Sequence, residues 1–153
     1  MATIATDRIE KEIVLRAPPS RVWRALTDAQ EFGRWFGVTL QGPFVEGTHV
    51  RGQITHPGYE HLAMALFVER IEPERYVAWR WHPYAIDPAK DYSNEPTTLV
   101  EFRLHEHDEG TRLTVVESGF DRIPVGRRDE AFRMNENGWT QQVRNIERHV
   151  AGA

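Results

Sequence analysis

Seven histidines, a carboxylate at the end of an apolar run and five tryptophans are the residues of this 153-residue chain best suited to chemistry. His105 and His107 lie two apart, and His49, His56 and His61 surround one expected hairpin. A zinc site needs three or four converging ligands, usually at a recognisable spacing. None of these spacings is diagnostic, no His-x-x-x-His falls on a helix, and the chain has no cysteine to supply thiolates. The histidines therefore read as solvated surface residues, and no metal is expected. No nucleophile elbow, Gly-rich phosphate loop or Ser/His/Asp set occurs, and Gly110-Thr111 is a hairpin turn. No catalytic residue is assigned from motifs and no cofactor is expected.

Glu117 is more informative. It closes the run Leu113-Thr114-Val115-Val116-Glu117, where the period of two puts it on the face shared by Leu113 and Val115. A carboxylate entering an apolar interior must be paired, hydrogen-bonded or protonated. Arg80, Arg133, Tyr84 or a ligand group are the candidate partners. The alternative is a bend at Gly119 that turns the side chain to a solvated rim. The tryptophans (Trp23, Trp35, Trp79, Trp81 and Trp139) point to core packing, pocket walls or both, because aromatics bury large areas.

Among the elements that must carry these residues, Arg8 to Arg16 alternates as a first strand. Pro18-Pro19-Ser20 stops it and opens a helix with Val22, Trp23, Ala25 and Leu26 on its apolar face. Asp28, with a glutamate three residues on, caps a second short helix that carries Phe32, Trp35 and Phe36. The stretch 37–47 is turn-rich. Five strands follow, at His49 to Thr55, His61 to Ile71, Arg75 to His82, Thr97 to His105 and Arg112 to Phe120, with turns at Glu72-Pro73-Glu74 and Asp108-Glu109-Gly110. Residues 125–150 form a long helix with Phe132, Trp139, Val143, Ile146 and Val150 at helical spacing. Its middle, Met134 to Gly138, has poor helix propensity and needs tertiary support.

Five consecutive strands without helices between them imply an antiparallel meander, and the long helix is the large apolar element left to cover it. The expected class is therefore α+β, with six strands. The segment from His82 to Pro96 is longer than a hairpin requires. It carries three prolines and the apolar anchors Tyr84, Ile86 and Tyr92, and reads equally as a lid over a cavity or a dimer contact.

Net charge is −4 with no concentrated basic surface, so nucleic acid is not an expected partner. No apolar run is long enough to cross a bilayer, and the lack of cysteine fits a reducing cytoplasm.

Particular residues add a resemblance. Ala17-Pro18-Pro19 precedes Val22-Trp23-Arg24-Ala25-Leu26-Thr27-Asp28, and Trp35-Phe36 follows in the second helix. Glu72-Pro73-Glu74-Arg75, Trp79-Arg80-Trp81, Gly110-Thr111-Arg112-Leu113-Thr114, Glu117-Ser118-Gly119-Phe120 and Gly138-Trp139 come in order after them. The chain thus resembles the START-like (SRPBCC, helix-grip) superfamily, and within it the family similar to the activator of Hsp90 ATPase. The resemblance covers residues 8–150 as one domain behind a flexible N-terminus, 1–7.

It implies a curved sheet gripping the C-terminal helix, with Leu113, Val115 and Glu117 facing that helix. It also implies an internal cavity between the sheet and the C-terminal helix for a small, largely hydrophobic molecule. Trp35, Phe36, Trp79, Arg80, Trp81, Tyr84, Phe102, Glu117, Met134 and Trp139 are its candidate lining. Gly138 would be explained by a close approach of helix to sheet or ligand, or would be an incidental surface glycine. Binding, transport or sensing of a hydrophobic ligand is the leading reading. A cyclase or hydrolase using Glu117 and a nearby His or Tyr is an alternative, as is a cochaperone-like interaction module, and a homodimer is compatible with each.

Overall fold

The computed structural model describes residues 7–87 and 89–151, so most of the expected flexible N-terminus (1–6) lies outside the described residues. Strand β1 (Arg8–Leu15) leads into helix α1 (Pro19–Thr27), where Pro19 occupies the first turn and Val22, Ala25 and Leu26 are buried. Asp28 caps helix α2 (Ala29–Phe36) by accepting from the backbone N–H groups of Gln30 and Glu31, both at 3.0 Å. Glu31 does not reach back to close a capping box. It joins Arg21 at 2.6 Å, Arg24 at 2.8 Å and His149 at 2.9 Å, tying both short helices to the end of the long one. Burial pushes the Glu31 carboxyl up, but the bonds from His149 and Arg21 outweigh it and hold the group below its ordinary range.

Six further strands follow: β2 (Val38–Gln41), β3 (His49–Ile54), β4 (Ala63–Glu72), β5 (Tyr76–Trp81), β6 (Thr98–His107) and β7 (Gly110–Ser118). A 3-10 turn (Phe120–Arg122) then leads into helix α3 (Val125–Ala151). All strands join one antiparallel sheet in the order β1-β7-β6-β5-β4-β3-β2. The sheet has seven strands where six were expected. The extra one, β2, is four residues long and lies inside the glycine-punctuated stretch 37–47, too short for its alternation to register. Pairing with β3 from Val38↔Ile54 to Gln41↔Arg51 makes it a strand.

Its position is set by two glycines. Gly37 ends α2 at φ +92°, in the left-handed region, and its N–H donates to the Gly33 carbonyl at 2.9 Å. A Cβ on Gly33 would collide with the Val38 carbonyl oxygen, so the turn from helix to strand closes only around glycine.

Alternation sorts the sheet. Val100, Phe102 and Leu104 of β6 and Leu113, Val115 and Glu117 of β7 are buried on the helix-facing side. Trp79 of β5 joins them, in contact with Phe32, Phe102 and Trp139. From α3, Ala131, Trp139, Val143, Ile146 and Val150 complete this core. Among the described residues, no helix is long and apolar enough to cross a membrane.

Candidate functional site

At the centre of the inner face, Glu117 is fully buried and meets four side-chain donors. Its Oε2 accepts from Thr98 Oγ1 at 2.6 Å and Trp81 Nε1 at 2.8 Å, and its Oε1 from Trp139 Nε1 at 2.8 Å. Asn135 Nδ2 reaches both oxygens, at 3.0 and 3.2 Å. Register explains the convergence: Val100 sits opposite both Glu117 and Trp79, so Thr98 and Trp81, themselves paired, lie one inward position further along. Asn135 and Trp139 are four apart on α3 and share one face. Burial pushes the Glu117 carboxyl above its ordinary range, while the bonds from Thr98, Trp81, Trp139 and Asn135 pull the other way.

The expected cationic partners are not there. Arg80 alternates with Trp79 and Trp81, and its guanidinium pairs with Glu69 at 2.8 Å. Arg133 and Tyr84 make no hydrogen bond to the carboxylate either. The real partners are neutral donors, three of them from indoles and an amide. Asn135 belongs to the segment of α3 with poor helix propensity, so the carboxylate supplies the missing tertiary support.

Beside this network opens a cleft of about 1650 Å³ between the middle of α3, the β3–β4 hairpin and the segment after β5. It is larger than an ordinary small-molecule pocket of roughly 300–1,000 Å³. Of the ten expected lining residues, Trp35, Phe36, Trp81, Tyr84 and Met134 border it. Trp79, Phe102, Trp139 and Glu117 lie beneath it in the packed interior. Phe102 and Trp139 meet edge to face at 5.9 Å, so the internal cavity expected between sheet and helix is filled by side chains there, and the opening lies beside it instead. Arg80 is not at the cleft.

Two sets of bordering residues escaped the sequence reading. Asn135, Gln141, Gln142 and Asn145 form an amide stripe on α3, legible in hindsight as the polar complement of its apolar stripe. Gly138 stands among them, and a Cβ there would have nothing within 4 Å. No close approach of the sheet explains this glycine, which borders the open cleft. The second set is charged: Arg34, Arg51, Lys90 and Arg148 border the cleft together with five histidines. Among the described residues, no three His, Cys, Asp or Glu side chains are arranged to hold a metal ion.

The long segment after β5 contributes Tyr84, Ile86 and Tyr92 to the cleft wall. Arg127, in the first turn of α3, holds it in place. Its guanidinium donates to Glu95 Oε1 at 2.8 Å and the Pro83 carbonyl at 2.7 Å, and lies 4.8 Å from the centre of the Tyr92 ring. Lys90 adds a second pair to Glu95 at 2.9 Å, and His82 Nε2 contacts the Glu95 carbonyl at 3.0 Å. Burial pushes the Glu95 carboxyl up, but Arg127 and Lys90 hold it below its ordinary range. Tyr84 takes φ +50°, uncommon for a bulky residue, within the strap that Arg127 grips.

The family model described as Activator of Hsp90 ATPase homolog 1-like protein matches residues 16–151. No curated protein sequence matches the chain. Protein MLL2253 from Mesorhizobium loti superposes with a TM-score of 0.75 at 22% identity, covering 95% of this chain and 98% of that one. The Aha1 dimer from Colwellia psychrerythraea, solved in solution, gives 0.68 at 17% identity, with 92% of each chain covered. DynU16, from the dynemicin biosynthetic locus, gives 0.72 at 24% identity over 95% of this chain; the match spans 47% of DynU16, about half its length. At these identities the likeness is one of fold.

Proposed function

Because the chain belongs to the Activator of Hsp90 ATPase homolog 1-like family, whose fold hosts more than one activity, we propose a function from its own cleft: reversible binding of a small, largely apolar molecule. The observation that carries this reading is the cleft itself. An aromatic wall of Trp35, Phe36, Trp81 and Tyr84 faces an α3 surface opened by Gly138 and edged with amides. Apolar walls with a few placed polar groups are the general build of a small-molecule site.

Glu117 supports binding over catalysis. Each carboxylate oxygen is occupied by donors, the group is sealed from the cleft, and among the described residues no second titratable side chain hydrogen-bonds to it. An acid/base mechanism needs two convergent groups within reach of substrate. We assign Glu117 a positioning role: it fixes the Trp81 indole and the Asn135 amide, both of which border the cleft.

The segment 83–96 acts as the lid in this reading, since its apolar anchors face the cleft and Arg127 ties it to the same molecule. Replacing residues 84–94 by a short Gly-Ser turn should weaken binding of N-phenylnaphthylamine, an uncharged apolar fluorophore, at least tenfold with no change in solution mass. A change in mass with unaltered binding would make the segment a subunit contact instead.

A further inference from the structure

We propose that the ligand of this cleft is an amphipathic anion, with an apolar ring body seated against the aromatic wall and a carboxylate or equivalent oxyanion at the basic rim. The inference rests on the binding function proposed above and adds the chemical class of the ligand.

The rim carries more cations than carboxylates. Arg34, Arg51, Lys90 and Arg148 border the cleft against two carboxylates, Asp87 and Asp91. The chain as a whole has the opposite balance, with 19 Lys and Arg to 23 Asp and Glu. Five of its seven histidines also border this one cleft. Four of the 19 Lys and Arg and most of the imidazoles thus border one cleft of a chain with excess acid.

The two rim carboxylates hold turns of the lid and keep their charge while doing so. Asp87 Oδ1 accepts from the Ala89 N–H at 3.0 Å, and Asp91 Oδ1 from the Ser93 N–H at 2.9 Å. Lys90 is paired with Glu95. Arg34, Arg51 and Arg148, in contrast, make no ion pair among the described residues. Three guanidiniums near an apolar wall are suited to an oxyanion, which they can bind in bidentate fashion. With Lys90 paired, three guanidiniums stand against two carboxylates, a small positive excess that favours anions over cations on approach and in the bound state. A neutral apolar molecule would use the aromatic wall and leave these guanidiniums without an ionic partner, Arg148 donating only to the Asn145 side chain.

The test compares two fluorophores that share one ring system, anilinonaphthalene sulfonate and its uncharged parent N-phenylnaphthylamine. The sulfonate is expected to bind at least tenfold more tightly. Raising salt from about 50 to about 500 mM should weaken it at least threefold, because exposed charges are screened at that strength, and leave the parent's affinity unchanged. Arg34→Gln, at an exposed residue without a hydrogen-bonded partner among the described residues, should reduce the sulfonate's advantage without altering the unfolding midpoint. Equal affinities, or tighter binding of the uncharged parent, would overturn the anion inference and leave the apolar site standing. If neither fluorophore binds, the binding function falls, and this inference with it.

Discussion

Replacing Glu117 by alanine is expected to lower unfolding free energy by about 4 kcal/mol, because four buried donors lose their shared acceptor and breaking a buried charged network typically costs roughly 3–5 kcal/mol. Thr98, Trp81, Trp139 and Asn135 all point at this one carboxylate. Glutamine is the sharper variant. It keeps the shape but turns one oxygen into an N–H donor, and an indole N–H cannot accept from it. Glu117→Gln should therefore also destabilise, by about 2 kcal/mol near neutral pH, despite removing a buried charge. Urea unfolding from about pH 4 to about pH 8 adds an independent readout. With the folded carboxyl raised above its ordinary value by burial, the native state holds its proton more tightly than the unfolded chain does. The carboxyl's contribution is then fully present at acid pH and declines as pH climbs through the folded value. The protonated acid brings a single O–H, which can turn to Thr98 Oγ1 as acceptor, whereas the amide brings two N–H donors, so the gap between wild type and Glu117→Gln should narrow over that climb. A gap that widens instead would mean that the four donors outweigh burial and hold the group ionised. A glutamine variant as stable as wild type would exclude Glu117 as the organiser of this network.

The same carboxylate shows where sequence reading succeeds and where it stops. Its direction followed from alternation along β7 together with the resemblance. A one-residue slip in register would have turned Leu113 and Val115 to solvent, so these two residues fix the register that buries Glu117. Its partners did not follow. Residue type points to Arg80 as the cation, but the pleat that turns Trp79 and Trp81 inward turns Arg80 towards Glu69. Indole and amide donors carry no charge to flag them, and Asn135 and Trp139 meet Glu117 only through the packing of α3 on the sheet.

The helices and long strands were legible because each repeats its period several times, whereas β2 has four residues and depends on β3 for its pairing. The cleft was harder to read for a related reason. Aromatic residues at helical or strand spacing look the same whether they fill a core or line a wall. Trp79, Phe102 and Trp139 took the first role, and Trp35 and Trp81 also border the cleft. The polar stripe on α3 faces a wall built by other segments, and the basic rim is assembled from distant ones, so no local pattern announces either.

Gly138 offers the largest expected separation of stability from binding. It lies mid-helix in α3, where glycine costs about 1 kcal/mol relative to alanine. A Cβ there would meet nothing within 4 Å. Gly138→Ala should therefore raise unfolding free energy by about 1 kcal/mol. Gly138→Leu should retain most of that gain, since leucine is nearly as good a helix former, while its side chain enters the cleft between the aromatic wall and the amide stripe. Binding of N-phenylnaphthylamine is expected to fall at least tenfold in the leucine variant, with the alanine variant intermediate. Fluorescence titration beside urea unfolding reads both quantities on the same preparations. A leucine variant that binds as wild type does would move the ligand's seat away from the middle of α3. One that loses stability would show that the space beside Gly138 is closed in solution. More stability with less binding is the result that marks this glycine as serving the cleft at the expense of the helix.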